Sequence, residues 1–246
     1  MKIVFIIVFH FLTLIHLIAQ EKTRSDFLWL GAGVALPTSH YAAHYSADSV
    51  AGYANVGYHV ITGGMFSINE IFGLSACFIA GQNDFLENEY IKGREQTFST
   101  ILPPDLEYTH SISNYTWTSL LVGPVVRHGY DDSEGFFFLK LMLGRASMRS
   151  PKIESEFFYT NTKYKDIIQS ARANNFSYLL GSGLQMPINA SLDMNFGADF
   201  FISTMNFYLA HELQANEKLL SSQAKPYTQK VKMFFLSASL VYKLYK

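Results

Sequence analysis

Hydrophobic and polar positions alternate with a period of two through much of this chain, and turn residues interrupt the alternation. Eight segments carry the pattern: Phe27–Leu36, Ala54–Ser67, Phe72–Phe85, Asn114–Arg127, Phe136–Met148, Phe176–Ile188, Leu192–Phe207 and Lys230–Leu244. Successive side chains leave a strand on opposite faces, so this period predicts half-covered β-strands. In the sixth segment Phe176, Tyr178, Leu180, Leu184, Met186 and Ile188 share one face; Ser177, Gly181, Gly183 and Gln185 share the other. In the fifth, Phe137, Leu139, Leu141 and Leu143 oppose Lys140 and Gly144. The seventh sets Met194, Phe196 and Phe200 against Asn195, Gly197 and Asp199, and the eighth sets Phe234, Leu236 and Leu240 against Ser237, Ser239 and Lys243. The first and fourth segments are apolar on both faces, so alternation leaves their inner face open.

The connections alternate in length. Those after the second, fourth and sixth segments are short, with turn residues at Asn69–Glu70, Gly129–Gly135 and Asn189–Ser191. Those after the first, third, fifth and seventh are long. Short turns at one end and long loops at the other, with both termini at the turn end, predict an eight-stranded antiparallel up-and-down transmembrane β-barrel. Pro124 cannot donate to a ladder, and a bulge near the turn would absorb it. Pro151 and Pro226 mark expected loop boundaries.

Composition sharpens this. Of 246 residues, 49% are hydrophobic and only 16% charged, which excludes a disordered chain. The net charge of −1 argues against a nucleic-acid partner. Lys2 followed by an apolar run to Ala19 reads as a secretory signal peptide over residues 1–20, leaving a barrel domain over 21–246. A single cysteine, Cys77, expected to face inward, allows no internal disulfide and no thiolate zinc site. No cofactor is expected.

With its leader, its eight alternating segments and its final amphipathic strand Val231–Tyr245, the chain resembles the small outer-membrane β-barrel proteins of Gram-negative bacteria. Segments such as Gly57-Tyr58-His59-Val60 and Phe72-Gly73-Leu74-Ser75-Ala76 are similar in cadence to the PorT-like or OmpX-like group. The group's last strand often ends on an aromatic residue; here Tyr245 is followed by Lys246. The resemblance implies residence in the outer membrane, contact with its lipid and lipopolysaccharide, and handling by the barrel-assembly machinery. It also implies a non-enzymatic structural, surface-binding or secretion-accessory role.

Two alternatives stand beside this reading. A soluble periplasmic lipocalin-like barrel would put the apolar faces inside. The Gly, Ser and Asn content of the polar faces and the large Phe and Leu of the apolar ones favour the lipid-facing arrangement. A lipid-modifying enzyme of the lipid A deacylase kind would need a His, a Ser and a carboxylate held together. His44-Tyr45-Ser46 with Asp48 offers this only in a loop, so no catalytic residue is assigned. His40 and His44 share a helical spacing but lack a third metal ligand. His110 and His211 read as isolated loop residues.

An eight-stranded barrel is filled by its own side chains, so the lumen is expected to be plugged. Lys140 and Asp199 fall on the polar face at similar depth, and burying either charge alone is costly, so they are expected to pair, with Gln185 and His59 nearby. Arg145 and Arg149 fall on the apolar parity near the loop end, where guanidinium groups reach lipid phosphates. Trp29, Trp117, Tyr115, Tyr130, Tyr159 and Tyr178 are candidates for interfacial aromatic girdles. The aromatic and mixed-charge loops are the expected surface for an external protein partner.

Overall fold

The computed structural model describes residues 25–44, 51–98, 108–129 and 135–245. The leader at residues 1–20 lies outside them. In chain order the elements are β1 (Ser25–Thr38), a single 3-10 turn (Ser39–Tyr41), β2 (Ala54–Ser67), β3 (Phe72–Phe85), α1 (Glu87–Phe98), β4 (Tyr108–Ile112), β5 (Tyr115–Gly129) and β6 (Phe136–Arg149). There follow β7 (Ile153–Tyr159), β8 (Thr162–Ile168), β9 (Arg172–Pro187), β10 (Leu192–Ala215) and β11 (Lys218–Tyr245).

Eight strands close into an antiparallel ring in the order β1-β2-β3-β5-β6-β9-β10-β11. β11 returns to β1 in unbroken register from Ser25↔Tyr245 to Thr38↔Lys232. Closure removes the free edges that an open sheet of this size would expose.

Two of the short turns are copies of one device. Asn69 Oδ1 accepts the backbone N–H groups of Ile71 (2.8 Å) and Phe72 (2.6 Å). Asn189 Oδ1 accepts those of Ser191 and Leu192, both at 2.9 Å. Each asparagine thereby satisfies the donors of the turn it starts, which is why Ile-Asn recurs at the foot of β2 and of β9.

Pro124 is accommodated without a bulge. It faces Leu74 in the ladder with β3. Toward β6, pairing lapses at Gly123–Pro124 and resumes unshifted, from Val122↔Leu143 to Val125↔Lys140. The missing N–H removes a bond and leaves the register intact.

The loop end departs most from the expected pattern. The expected loop between the seventh and eighth strands is instead the continuation of β10 and β11. They pair out to Ala215↔Lys218 and are joined by Asn216–Glu217 alone. Both turn residues have positive φ (45° and 66°), as a two-residue hairpin turn requires. Its apolar residues, Tyr208, Leu209, Leu213, Leu219 and Leu220 among them, follow no period of two, so no hydrophobic alternation announces this ribbon. Pro226 sits within it opposite Tyr208, beyond the Lys232 level where β1 ends. β11 is an edge strand there, so its missing donor costs no ladder bond.

β8 pairs with the β10 extension, β7 with β8, and β4 with β7, so a small sheet stands above the ring. α1 belongs to this same end, tied to β8 by an ion pair between Arg94 and Asp166.

Candidate functional site

The outer wall is apolar. Along β6 the outward residues Phe137, Leu139, Leu141 and Leu143 are all exposed, as are Leu120 (64%) and Phe176 (73%) on the strands beside it. Leu30, Phe78, Leu180, Leu236 and Leu240 carry the belt round the ring. From Phe137 to Arg145 the belt climbs eight residues of a tilted strand, roughly 20 Å, near the apolar band of outer-membrane barrels. No helix among the described residues is long and apolar enough to cross a membrane; strands do so. A closed ring, apolar outside and filled inside, with tight turns at one end, is the architecture of an outer-membrane β-barrel. The soluble ligand-binding barrel requires the opposite arrangement of faces.

Buried side chains pack within the lumen at several levels. At the turn end Arg127 lies over the rings of Phe27 (5.7 Å) and Phe136 (5.4 Å) and donates from Nη2 to the Asn69 carbonyl at 2.7 Å. Next, Lys243 Nζ is 2.9 Å from Asp193 Oδ1, and Gln185 Nε2 donates to Asp193 Oδ2 at 2.6 Å. Above that, Lys140 Nζ is 2.9 Å from Asp199 Oδ2. A cavity of about 40 Å³ lined by Lys140, Gln185, Asn195 and Ser239 lies among these groups, room for a water or two. Over them lies an aromatic stack. Trp117 and Phe235 are nearly parallel (8°) with centroids 5.1 Å apart, and Phe201 packs on both. Trp117 Nε1 donates to Asn83 Oδ1 at 2.9 Å, so the buried indole is satisfied.

The structure therefore brings Lys140 and Asp199 together, with Gln185 beside them on the same cavity, but neither Gln185 nor His59 hydrogen-bonds to the pair. Gln185 joins the Asp193–Lys243 pair, which sequence reasoning missed even though both residues lie on inward parities. His59 is buried against Phe235 (centroids 4.8 Å) beside Gly33, with no hydrogen bond to either charge. Cys77 faces the lumen, its Sγ 3.8 Å from Met142 Sδ.

Of the lipid-facing candidates, Arg145, Arg149 and Tyr178 point outward. Trp29 and Trp117 do not. Trp29 is half-buried on the inner face of β1, and Trp117 is 3% exposed in the lumen. Tyr115 is also internal, donating to the Gly52 carbonyl at 2.8 Å. These are the strands that are apolar on both faces. Inward size decides there, because aromatic rings fill the lumen while Leu28, Leu30, Leu120 and Val122 meet lipid. Tyr159 lies near the tip of the β7–β8 hairpin, above the belt, and Tyr130 is outside the described residues.

At the loop end a cavity of about 300 Å³ opens above the stack, lined by Tyr53, Phe85, Tyr90, Tyr115 and Tyr227. Tyr53 holds a positive φ of 53° and stacks on Phe85 at 5.8 Å. The histidines expected in loops lie in strands here. His110 on β4 is 2.9 Å from Ser155 Oγ through Nδ1, and His211 on β10 meets Asp166, which also pairs with Arg94. His44 is exposed beyond the 3-10 turn; Ser46 and Asp48 lie outside the described residues.

No family model matches the chain, and no curated protein matches it. Solved structures do. Neisserial surface protein A is 10% identical, with 91% of this chain and 100% of that one covered at a TM-score of 0.46. The outer membrane protein AlkL, solved in lipid bilayers, is 9% identical over 92% and 93%, with a TM-score of 0.46. The outer membrane protein OprG from Pseudomonas aeruginosa is 12% identical over 91% and 98%, with a TM-score of 0.45.

Proposed function

We propose that the protein is an integral, non-enzymatic outer-membrane barrel that acts by recognition at its external face and passes no solute through its lumen. The observation that supports this reading is the buried packing of side chains in the lumen. Two buried ion pairs and an aromatic stack lie across the lumen in series. The rest of the chain's investment lies at the loop end, which faces the exterior in this reading because barrel turns are periplasmic. There the β10–β11 ribbon, the β8–β7–β4 sheet, α1 and the aromatic cavity form a rigid platform for a protein partner. Binding residues on loops held by a rigid scaffold are a recurrent arrangement.

Three measurements test this. Outer membranes run on a detergent gel unboiled and boiled should give a band whose mobility changes on heating. The purified barrel in planar bilayers should stay electrically silent. A steady conductance would overturn the plugged-lumen reading, and a soluble, heat-unmodified protein would overturn the membrane reading. Replacing residues 208–229 by a two-residue turn should leave the heat shift intact and abolish capture of a cross-linked surface partner. Unchanged capture would remove the ribbon from the recognition surface.

A further inference from the structure

The outward face of the wall changes character abruptly at the loop end of β3, β5, β6 and β9. The last apolar row is Phe78↔Leu120, continued by Phe176, and Arg145 stands in it between Leu120 and Phe176. One step further out the cross-strand partners are Thr118↔Ser147, and one step beyond that Thr116↔Arg149↔Arg172. Arg149 and Arg172 are thus directly opposite each other on adjacent strands, both exposed. Like charges at that spacing repel. Among the described residues neither they nor Arg145 forms an ion pair, and the only side-chain bond to a guanidinium of the three is from Arg172 Nε to Ser147 Oγ at 2.7 Å. A groove of about 290 Å³ runs along this patch, lined by Thr116, Thr118, Ser147, Arg149 and Arg172.

We infer that this groove binds the phosphate of a phosphorylated glycolipid of the outer leaflet. The chemistry is that of a phosphate clamp. Two guanidinium groups supply forked donors and three hydroxyls supply further ones, and no carboxylate competes within these rows. An anion between Arg149 and Arg172 converts their repulsion into two charge-assisted bonds. The position selects a lipid over a free anion. The groove opens immediately above Leu120 and Phe176, so a bound headgroup hangs its acyl chains along the apolar belt. Arg145, rooted one row lower, reaches up from the acyl region to the same phosphate layer. This rests on the outer-membrane reading and adds to it a specific lipid site.

The test uses the full-length barrel refolded in a zwitterionic detergent. Bisphosphorylated lipid A, enzymatically dephosphorylated lipid A and inorganic phosphate are titrated separately, with bound lipid counted by native mass spectrometry. R149Q/R172Q should bind bisphosphorylated lipid A about tenfold or more weakly than the parent, and the parent should discriminate against the dephosphorylated lipid by a similar factor. K163Q/K165Q, which removes two cations from the hairpin above, should change neither value. Without lipid, R149Q alone should raise the thermal midpoint of the heat shift; with lipid A present it should lower it. That reversal of sign separates a lost ligand from a damaged fold. If the double variant does not refold, R172Q alone is used. Equal lipid A binding by variant and parent, equal binding of dephosphorylated lipid, or saturation of the groove by inorganic phosphate at the same concentration would each overturn the proposal. A parent that fails the heat-shift test in outer membranes refutes the membrane reading; a parent that passes it but shows no arginine dependence refutes only the lipid site.

Discussion

Lys140 and Asp199 meet across a strand that neither belongs to. Gly181 of β9 lies directly between them in the ladder, opposite Lys140 on β6 and opposite Asp199 on β10. A Cβ at Gly181 would overlap Asp199 Oδ1 and crowd Lys140 Cε, so the absence of a side chain there is what lets the 2.9 Å contact form. Asp199 is 2% exposed. Removing one partner strands a buried charge, whereas removing both does not. Lys140→Met or Asp199→Leu alone should cost about 3–5 kcal/mol, and the double variant should return close to the parent. Urea unfolding in lipid vesicles, followed by tryptophan fluorescence, measures this. Additive losses in the double variant would show that the two charges are not coupled.

The aromatic stack predicts a dissociation of stability from permeability. Trp117→Ala removes the ring that packs on both Phe201 and Phe235 and should cost about 3–5 kcal/mol. The ion pairs below remain, so planar-bilayer recordings of this variant should still show no steady conductance. An open channel in Trp117→Ala would assign the plug to the stack alone.

The belt is tested by charge. Leu141 is outward, exposed and near the middle of the apolar band on β6. Leu141→Arg should destabilise the barrel in bilayers by about 2–4 kcal/mol and leave a lumen measurement unchanged. Equal stability of parent and variant in vesicles would mean that this face does not meet lipid.

The β7–β8 hairpin carries a pH dependence of known sign. A hydrogen bond from Lys152 to Glu154, and one from Lys163 to Glu156, hold both carboxyls below the ordinary carboxylate range. Lys165, hydrogen-bonded to Glu154, is held above the ordinary lysine value. Lowered carboxylates stabilise the hairpin above their ordinary range, and that support disappears as pH falls through the folded values. The raised lysine stabilises below its ordinary value and is lost only as pH rises through the folded one. Amide protection in β7 and β8, the exchange rate taken relative to the intrinsic rate at each pH, should therefore be greatest near neutral pH and fall on acidification. These groups are partly exposed to solvent, so salt should flatten the effect. A salt-insensitive profile would exclude the ion pairs as its cause.

The ribbon turn offers a stabilising change. Glu217 holds a φ of 66°. Glu217→Gly should raise ribbon stability by about 1 kcal/mol, because glycine reaches that region without a Cβ clash. Slower proteolysis between Leu209 and Thr228 is the readout, and faster cleavage would contradict it.

Much of this barrel is decided by the sequence alone. Alternation and turn asparagines place β2 and β3 at their observed ends, and the order of short and long connections dictates a closed antiparallel ring. Lys140 and Asp199 share inward parity and depth because the period of two carries through β6 and β10 unbroken. Other features needed the tertiary structure. The direction of Trp29 and Trp117 was open because β1 and β5 are apolar on both faces, and only the volume of the lumen sorts rings inward and leucines outward. The β10–β11 ribbon was hidden because a strand solvated on both faces has no hydrophobic period. The choice of Lys243 for Asp193, and the confrontation of Arg149 with Arg172, are consequences of register. Register is set by closing eight strands on one another, which no single segment encodes.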